Sequence, residues 1–235
     1  MSPSPILALH IVSGTLGVLA GATALSLRKG SRRHGLIGSV FVAAMLSLGL
    51  TGIAMAIVKS QPGNILGGSL TAYLVSTAWW TARHHEVRIG IFDWTAVIIG
   101  SAIAATGLTL GIAAARSPTG MVFSYGPGPY LLLGTVALLA SLGDIRLLAR
   151  RSFSSSERLR RHLWRMCFAL FIGTSSIFLA RPYLFPAFMR TTGGLYALTF
   201  FPLVLMIFWL IRVRFAKTHR NKLPSEAKHA SSIEA

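Results

Sequence analysis

Three histidines, two aspartates and an arginine lie within apolar stretches or at their edges: His10, His34, Asp93, Asp144, His162 and Arg165. An ionisable side chain is costly inside a membrane helix, so it turns towards the bundle interior or a cavity, finds a partner, and often marks a site. Imidazole and carboxylate together suit zinc, iron and other first-row metals, which makes His34, His162, Asp93 and Asp144 a candidate divalent-metal set. Two neutral imidazoles on facing helices are also the axial ligands of a b-type haem, and His34 with His162 can supply them if they share one depth. Either reading falls if the two histidines stand on opposite sides of the bundle. A third chemistry is protonation, since imidazole titrates near pH ~6.5 and can gate transport or sensing.

Each chemistry meets an objection. A cytochrome that carries electrons across a bilayer uses two axial pairs at different depths, and the outer half of this chain offers only His10. The single cysteine, Cys167, belongs to no C-x-x-C-H haem-attachment sequence. No H-E-x-x-H or similarly compact motif supports the metal set. The centres of the apolar stretches are almost free of charge, which leaves a proton path half built. Plain structural roles are open as well. Asp93 and Asp144 can pair with Arg146 or Arg165 and pin helices together, and Asp93 can serve as a first-turn acid against the helix macrodipole. His34 and His162 can be interfacial residues, His84 and His85 can be solvated in a basic turn, and one hydrogen bond can satisfy His10.

The elements that must carry these residues are helices. The chain has 235 residues, 53% hydrophobic and 12% charged, with a mean hydropathy of +0.62. A soluble domain carries about a quarter charged residues. Runs of about 20 apolar residues span a bilayer, and in lipid they satisfy their backbone as helices. The pattern predicts seven: 5–27, 36–58, 65–82, 90–115, 129–148, 162–180 and 194–213. Residues 1–216 then form a polytopic all-α transmembrane bundle, and 217–235 a disordered basic tail. Met1–Ala8 lacks the basic start of a signal peptide, so the first apolar run reads as a retained helix. Pro182, Pro186 and Gly193–Gly194 predict a re-entrant or interfacial turn over 181–193.

At about 100° per residue, the polar side chains share faces with small residues. His10 aligns with Ser13, Gly14, Gly17 and Gly21, and His34 with Gly38, Met45, Gly49 and Gly52. Asp93 aligns with Ala96, Gly100, Ala104, Gly107 and Gly111, Asp144 with Ala137, Ala140 and Ser141, and His162 and Arg165 with Ala169 and Gly173. These faces predict one inward cluster of His34, Asp93, Asp144, His162 and Arg165 near the cytoplasmic side, with His10 apart near the outer side. The GxxxG pairs Gly17/Gly21 and Gly107/Gly111 permit close helix approach. They leave homo-oligomerisation open, although internal packing needs the same faces.

Charge sets the orientation. The chain holds 23 Lys and Arg against six acids, a net charge of +17. Nineteen of these cations fall in alternate gaps and the tail, and only Lys59, Arg116, Arg181 and Arg190 fall in the others. The positive-inside rule then puts the N-terminus outside and the C-terminus in the cytoplasm. Trp79, Trp80, Trp94, Trp164 and Trp209 mark the inner interface, and Tyr125, Tyr130, Tyr183 and Tyr196 the outer one. Cations so placed imply the bilayer and its anionic headgroups as partners rather than nucleic acid.

Leu9-His10-Ile11, Gly14, Gly21, the Arg28-Lys29-Gly30 turn, His34, Gly38 and Phe41 resemble the opening of a bacterial family of predicted membrane proteins catalogued as a domain of unknown function. Gly143-Asp144-Ile145-Arg146 and Arg161-His162-Leu163-Trp164-Arg165-Met166 resemble its later blocks. Gly35 and Arg165 depart from the residues that family favours there. The resemblance brings no activity; it implies an inner-membrane protein in which His10, His34 and His162 belong to one question. Nothing resembles a hydrolase elbow, a P-loop or a dinucleotide fingerprint, so enzyme chemistry is indicated only with a redox or metal cofactor. The reading favoured by sequence is an inner-membrane protein suited to small-ligand binding, sensing or proton-linked transport. Its alternative is a haem b or metal-binding redox protein using His34 and His162.

Overall fold

Local signals start the helices. The computed structural model describes residues 4–84 and 89–220, with side chains as far as residue 214. Its elements are α1 (Pro5–Ser26), α2 (Arg32–Val58), α3 (Gly63–Arg83), α4 (Ile91–Arg116), α5 (Pro127–Arg150), α6 (Ser155–Phe178), a 3-10 turn (Pro182–Leu184), α7 (Ala187–Thr191) and α8 (Gly194–Arg220). No strand occurs among the described residues. Pro5 and Pro127 open their helices, where a missing N–H costs nothing. The Ser31 hydroxyl accepts from His34 N at 3.2 Å, which starts α2 at Arg32 and puts His34 in its first turn.

Two boundaries differ most from expectation, each by seven residues. α6 begins at Ser155 rather than 162 because Ser154 and Glu157 form a capping box. The Ser154 hydroxyl accepts from Glu157 N at 3.3 Å, and Glu157 Oε2 accepts from Ser154 N at 3.0 Å. Those bonds hold the Glu157 carboxyl below the usual range, with Arg150 as a further cause. Basic residues expected in a loop therefore lie on a helix. α8 runs past residue 216 to Arg220, so the first tail residues are helical; 221–235, like His85, lie outside the described residues. Over 181–193 the chain forms only the 3-10 turn and the five-residue α7.

Five helices are long and apolar enough to cross a membrane: α1, α2, α4, α5 and α8 up to Arg214. The expected seven had included α3 and α6, which fall short on composition. α3 is rich in Gly, Ser and Thr, and α6 opens on Glu157, Arg158, Arg160 and Arg161. Packing explains this. α3 touches α2, α4, α5 and α6, so its neighbours shield it. The outer helices turn Leu16, Leu19, Ile98, Leu139 and Phe201 outwards, apolar side chains on an outer surface as lipid requires.

Glycine sets the closest approaches. A Cβ on Gly107 would lie 2.7 Å from Gly134 Cα, so α4 and α5 meet backbone to backbone there. One on Gly17 would lie 2.9 Å from Met45 Sδ, and one on Gly21 2.8 Å from Leu170 Cδ1. Both GxxxG pairs thus serve packing within the chain. Gly107→Val should push α4 from α5 and cost about 1–3 kcal/mol, the usual range for overpacking. Thermal unfolding in detergent checks it, with Gly128→Ala as the unchanged control, since a Cβ there meets nothing within 4 Å.

Candidate functional site

The expected single cluster is two sites and a cap. Asp93 is the cap: its Oδ2 accepts from Gly90 N at 3.0 Å in the first turn of α4, the macrodipole role open to it in the sequence.

Asp144 forms the first site with Arg161, Arg165 and Tyr73. Each is buried, Asp144 and Arg165 almost completely, at 2% and 1% exposure. Arg165 Nη2 donates to Asp144 Oδ1 at 2.6 Å and to Ala140 O at 2.7 Å. Tyr73 Oη donates to Asp144 Oδ2 at 2.5 Å. Arg161 Nη1 abuts Asp144 Oδ1 as an ion pair without hydrogen-bond geometry. Two guanidinium groups thus share one carboxylate. The surplus cation is spread over Thr77 and Thr81 of α3: Arg165 Nη1 donates to Thr77 Oγ1, and Arg161 Nε to Thr81 Oγ1 at 2.9 Å. Both threonine hydroxyls send their own protons to carbonyls one turn back, Tyr73 O and Thr77 O, each at 2.7 Å. Their oxygens are therefore acceptors towards the arginines. Asp144 pairs with Arg165, as the sequence allowed, and not with Arg146. Arg161, Tyr73 and the two threonines were not anticipated. Two signals point to them: Arg161 and Arg165 stand four apart on one helix face, and Tyr73 is the one tyrosine in neither interfacial belt, so its buried hydroxyl needs a partner.

His34 and His162 form the second site. Both line one cavity of about 460 Å³ bounded by α1, α2, α3, α6 and α8. The placement that would have removed the haem and metal readings is not found. His34 Nδ1 lies 3.1 Å from Ala24 O, and His162 Nδ1 lies 3.2 Å from Ala78 O. A carbonyl only accepts, so each Nδ1 carries a proton, and Nε2 is the nitrogen that faces no carbonyl. Neither Nε2 has a hydrogen-bond partner among the described residues. Ala78 lies between Thr77 and Thr81, so α3 takes bonds from Arg161, His162 and Arg165 in succession. The cavity wall is otherwise mainly apolar, with Phe41, Val42, Leu163, Met166 and Leu170 deeper in. A Cβ on Gly35 or Gly38, both in the lining, would meet nothing within 4 Å.

His10 stands alone. Its Nδ1 lies 3.0 Å from Thr51 Oγ1. That hydroxyl gives its proton to Ser47 O at 2.6 Å, so it accepts from the imidazole. Thr51, on the neighbouring helix α2, is its side-chain partner.

The structure does not bring His34, His162, Asp93 and Asp144 together: Asp93 caps a helix and Asp144 pairs with two arginines. No group of three or more His, Cys, Asp or Glu able to hold a metal ion occurs among the described residues. A shared depth along the helices does not fix which helices face each other. Comparison with protein-family models, curated proteins and solved structures gave no match for this chain.

Asp144→Asn strands Arg161 and Arg165 in a dry interior. Breaking a buried pair this way costs about 3–5 kcal/mol. A fall of that size in denaturant or thermal stability is expected, against about 1 kcal/mol or less for Glu157→Gln, which loses the pair with Arg150 but keeps an amide oxygen able to accept from Ser154 N.

Proposed function

We propose that the protein is a seven-span inner-membrane protein, N-terminus out and C-terminus in, whose cytoplasmic-side cavity holds one b-type haem between His34 and His162. The observation that carries this reading is the matched state of the two imidazoles. Each has its Nδ1–H tied to a backbone carbonyl of another helix, which fixes the ring orientation and leaves Nε2 as the ligating atom, the arrangement usual for metal-bound histidines. Among the described residues no third metal ligand groups with these two histidines, although Cys167 lines the same cavity, and two are too few for zinc or a bare divalent ion, which takes three or four. They are the number a porphyrin leaves vacant, since the macrocycle supplies the other four. A cavity of about 460 Å³ falls in the range of roughly 300–1,000 Å³ usual for bound cofactors and ligands. The unfilled space at Gly35 and Gly38 suits a flat ring held against a helix.

With a single centre on the inner side and no second imidazole beside His10, the protein is a one-haem redox or sensing module, not a wire across the bilayer. The seven-span count follows from treating α3 and α6 as shielded spans, and the orientation from the basic gaps. Assignment to a bacterial inner membrane rests on the family resemblance.

The purified protein should show a low-spin b-type spectrum, with a Soret band that shifts on reduction by dithionite. His34→Ala and His162→Ala should each abolish it, by loss of haem or by leaving five-coordinate high-spin iron, while His10→Ala keeps it. Gly38→Leu, which fills the cavity without touching a ligand, should keep the protein folded and lose the haem. A flat spectrum from protein made with ample haem would sink the proposal and return the cavity to a small-molecule site. Orientation has its own check. In a Cys167→Ser background, Ser124→Cys should react with an impermeant maleimide on intact cells, and Ser152→Cys only after permeabilisation.

A further inference from the structure

The cavity changes character along its length. Its deep end, at Phe41 and Leu170, is apolar, and two cations line it elsewhere. Lys29 comes from the α1–α2 turn. Its Nζ donates to Leu25 O at 2.6 Å, with longer contacts of 3.3 and 3.4 Å to Ala24 O and Leu27 O, and sits 5.3 Å from the Trp209 ring centroid. Arg83 ends α3. Its Nη2 donates to Ser39 Oγ at 3.1 Å, and its guanidinium lies 5.3 Å from the Trp79 ring centroid. Each cation is steadied by neutral oxygens and an aromatic face. The described acids, Asp93, Asp144 and Glu157, are engaged elsewhere and none lies against either cation. Burial lowers the pKa of Lys29, and among the described residues no acid pairs with it.

We propose that Lys29 and Arg83 form an acid-binding rim, so that the cavity takes an amphipathic ligand carrying carboxylates on one edge, held with that edge at the rim and its apolar edge against Phe41 and Leu170. This rests on the porphyrin reading and deepens it: the ligand is a porphyrin with free acidic side chains, and its esters are discriminated against. The chemistry is that of charge-assisted hydrogen bonding. A carboxylate replaces the two long carbonyl contacts of Lys29 and takes the outward N–H groups of Arg83, and the aromatic faces keep both cations from collapsing into solvent. Lys29 also neutralises the C-terminal carbonyls of α1. That role alone calls for no second cation from α3 on the same cavity.

The test uses a ligand that needs no iron. Metal-free protoporphyrin and its dimethyl ester are titrated into the full-length apo-protein in detergent, followed by porphyrin fluorescence. The free acid is expected to bind roughly tenfold or more tighter than the ester, as charge-assisted contacts imply. Arg83→Gln and Lys29→Gln should each shrink that ratio while leaving ester affinity unchanged. Equal affinity for acid and ester in the wild type overturns the rim, and so does failure of both to bind. A variant that weakens acid and ester alike shows a fold defect, and the wild-type ratio then decides. Iron ligation is read separately with haem in the same protein. An acid preference without a low-spin spectrum keeps the rim and removes the His34–His162 axis; a low-spin spectrum without acid preference does the reverse.

Discussion

One buried carboxylate fixes how α3, α5 and α6 are arranged where they meet. Among the described residues Asp144 is the only acid paired with Arg161 and Arg165, and both arginines are buried. A buried cation without a partner is far more costly than any single packing contact, so α5 and α6 must dock with Asp144 between the two arginines. The remaining N–H groups then need acceptors. Thr77 and Thr81 provide them only because their protons are already spent on their own helix. That adds α3 to the lock. Slipping α6 by one residue along α3 would turn the arginines about 100° away and break these bonds together. The register of three helices thus follows from charge, which is a sharper constraint than apolar packing in a medium as apolar as the side chains themselves.

That lock explains why the two central helices are the least apolar ones. α3 and α6 spend their polar residues on one another, and the outer helices present aliphatic side chains outwards. Glycine serves opposite ends within this scheme. At Gly107 and Gly134 it is required because another backbone occupies the space of a side chain; at Gly35 and Gly38 nothing occupies it. The first kind of glycine is accounted for by the fold. The second is not, and both examples line the cavity of His34 and His162.

Much of the fold was legible because helix length and residue faces are local properties. The faces of His10, Asp93 and Asp144 came out as the structure has them, with Gly17, Gly21, Gly100, Gly107, Ala137 and Ala140 buried. The start of α6 was missed because Ser154 and Glu157 were read as loop, although serine followed three residues on by glutamate is itself a start signal. The grouping of the candidate site was only half legible. A wheel tells which way a side chain points from its own axis, and depth tells how far along that axis it lies; neither tells which helix stands opposite. His34 and His162 did come together. Asp144 instead meets Tyr73 of α3 and Arg161 and Arg165 of α6, and Asp93 turns back on its own helix end.

The three membrane histidines share one feature that separates them in the end. Each gives its Nδ1 proton to a fixed oxygen and keeps Nε2 as the basic atom. For His10 the oxygen is a threonine hydroxyl on the helix next to its own, so that bond alone accounts for the residue as a helix–helix tie. For His34 and His162 the oxygens are backbone carbonyls, Ala24 O in the last turn of α1, which Lys29 also approaches, and Ala78 O inside α3. Each tie holds an imidazole at a set angle. Two rings so held, on α2 and α6 and lining the same cavity, are oriented for something other than each other. On the proposed reading that something lies between them, and because His10 has no counterpart at the other end, electrons or ligands reach it and leave it from the same side of the membrane.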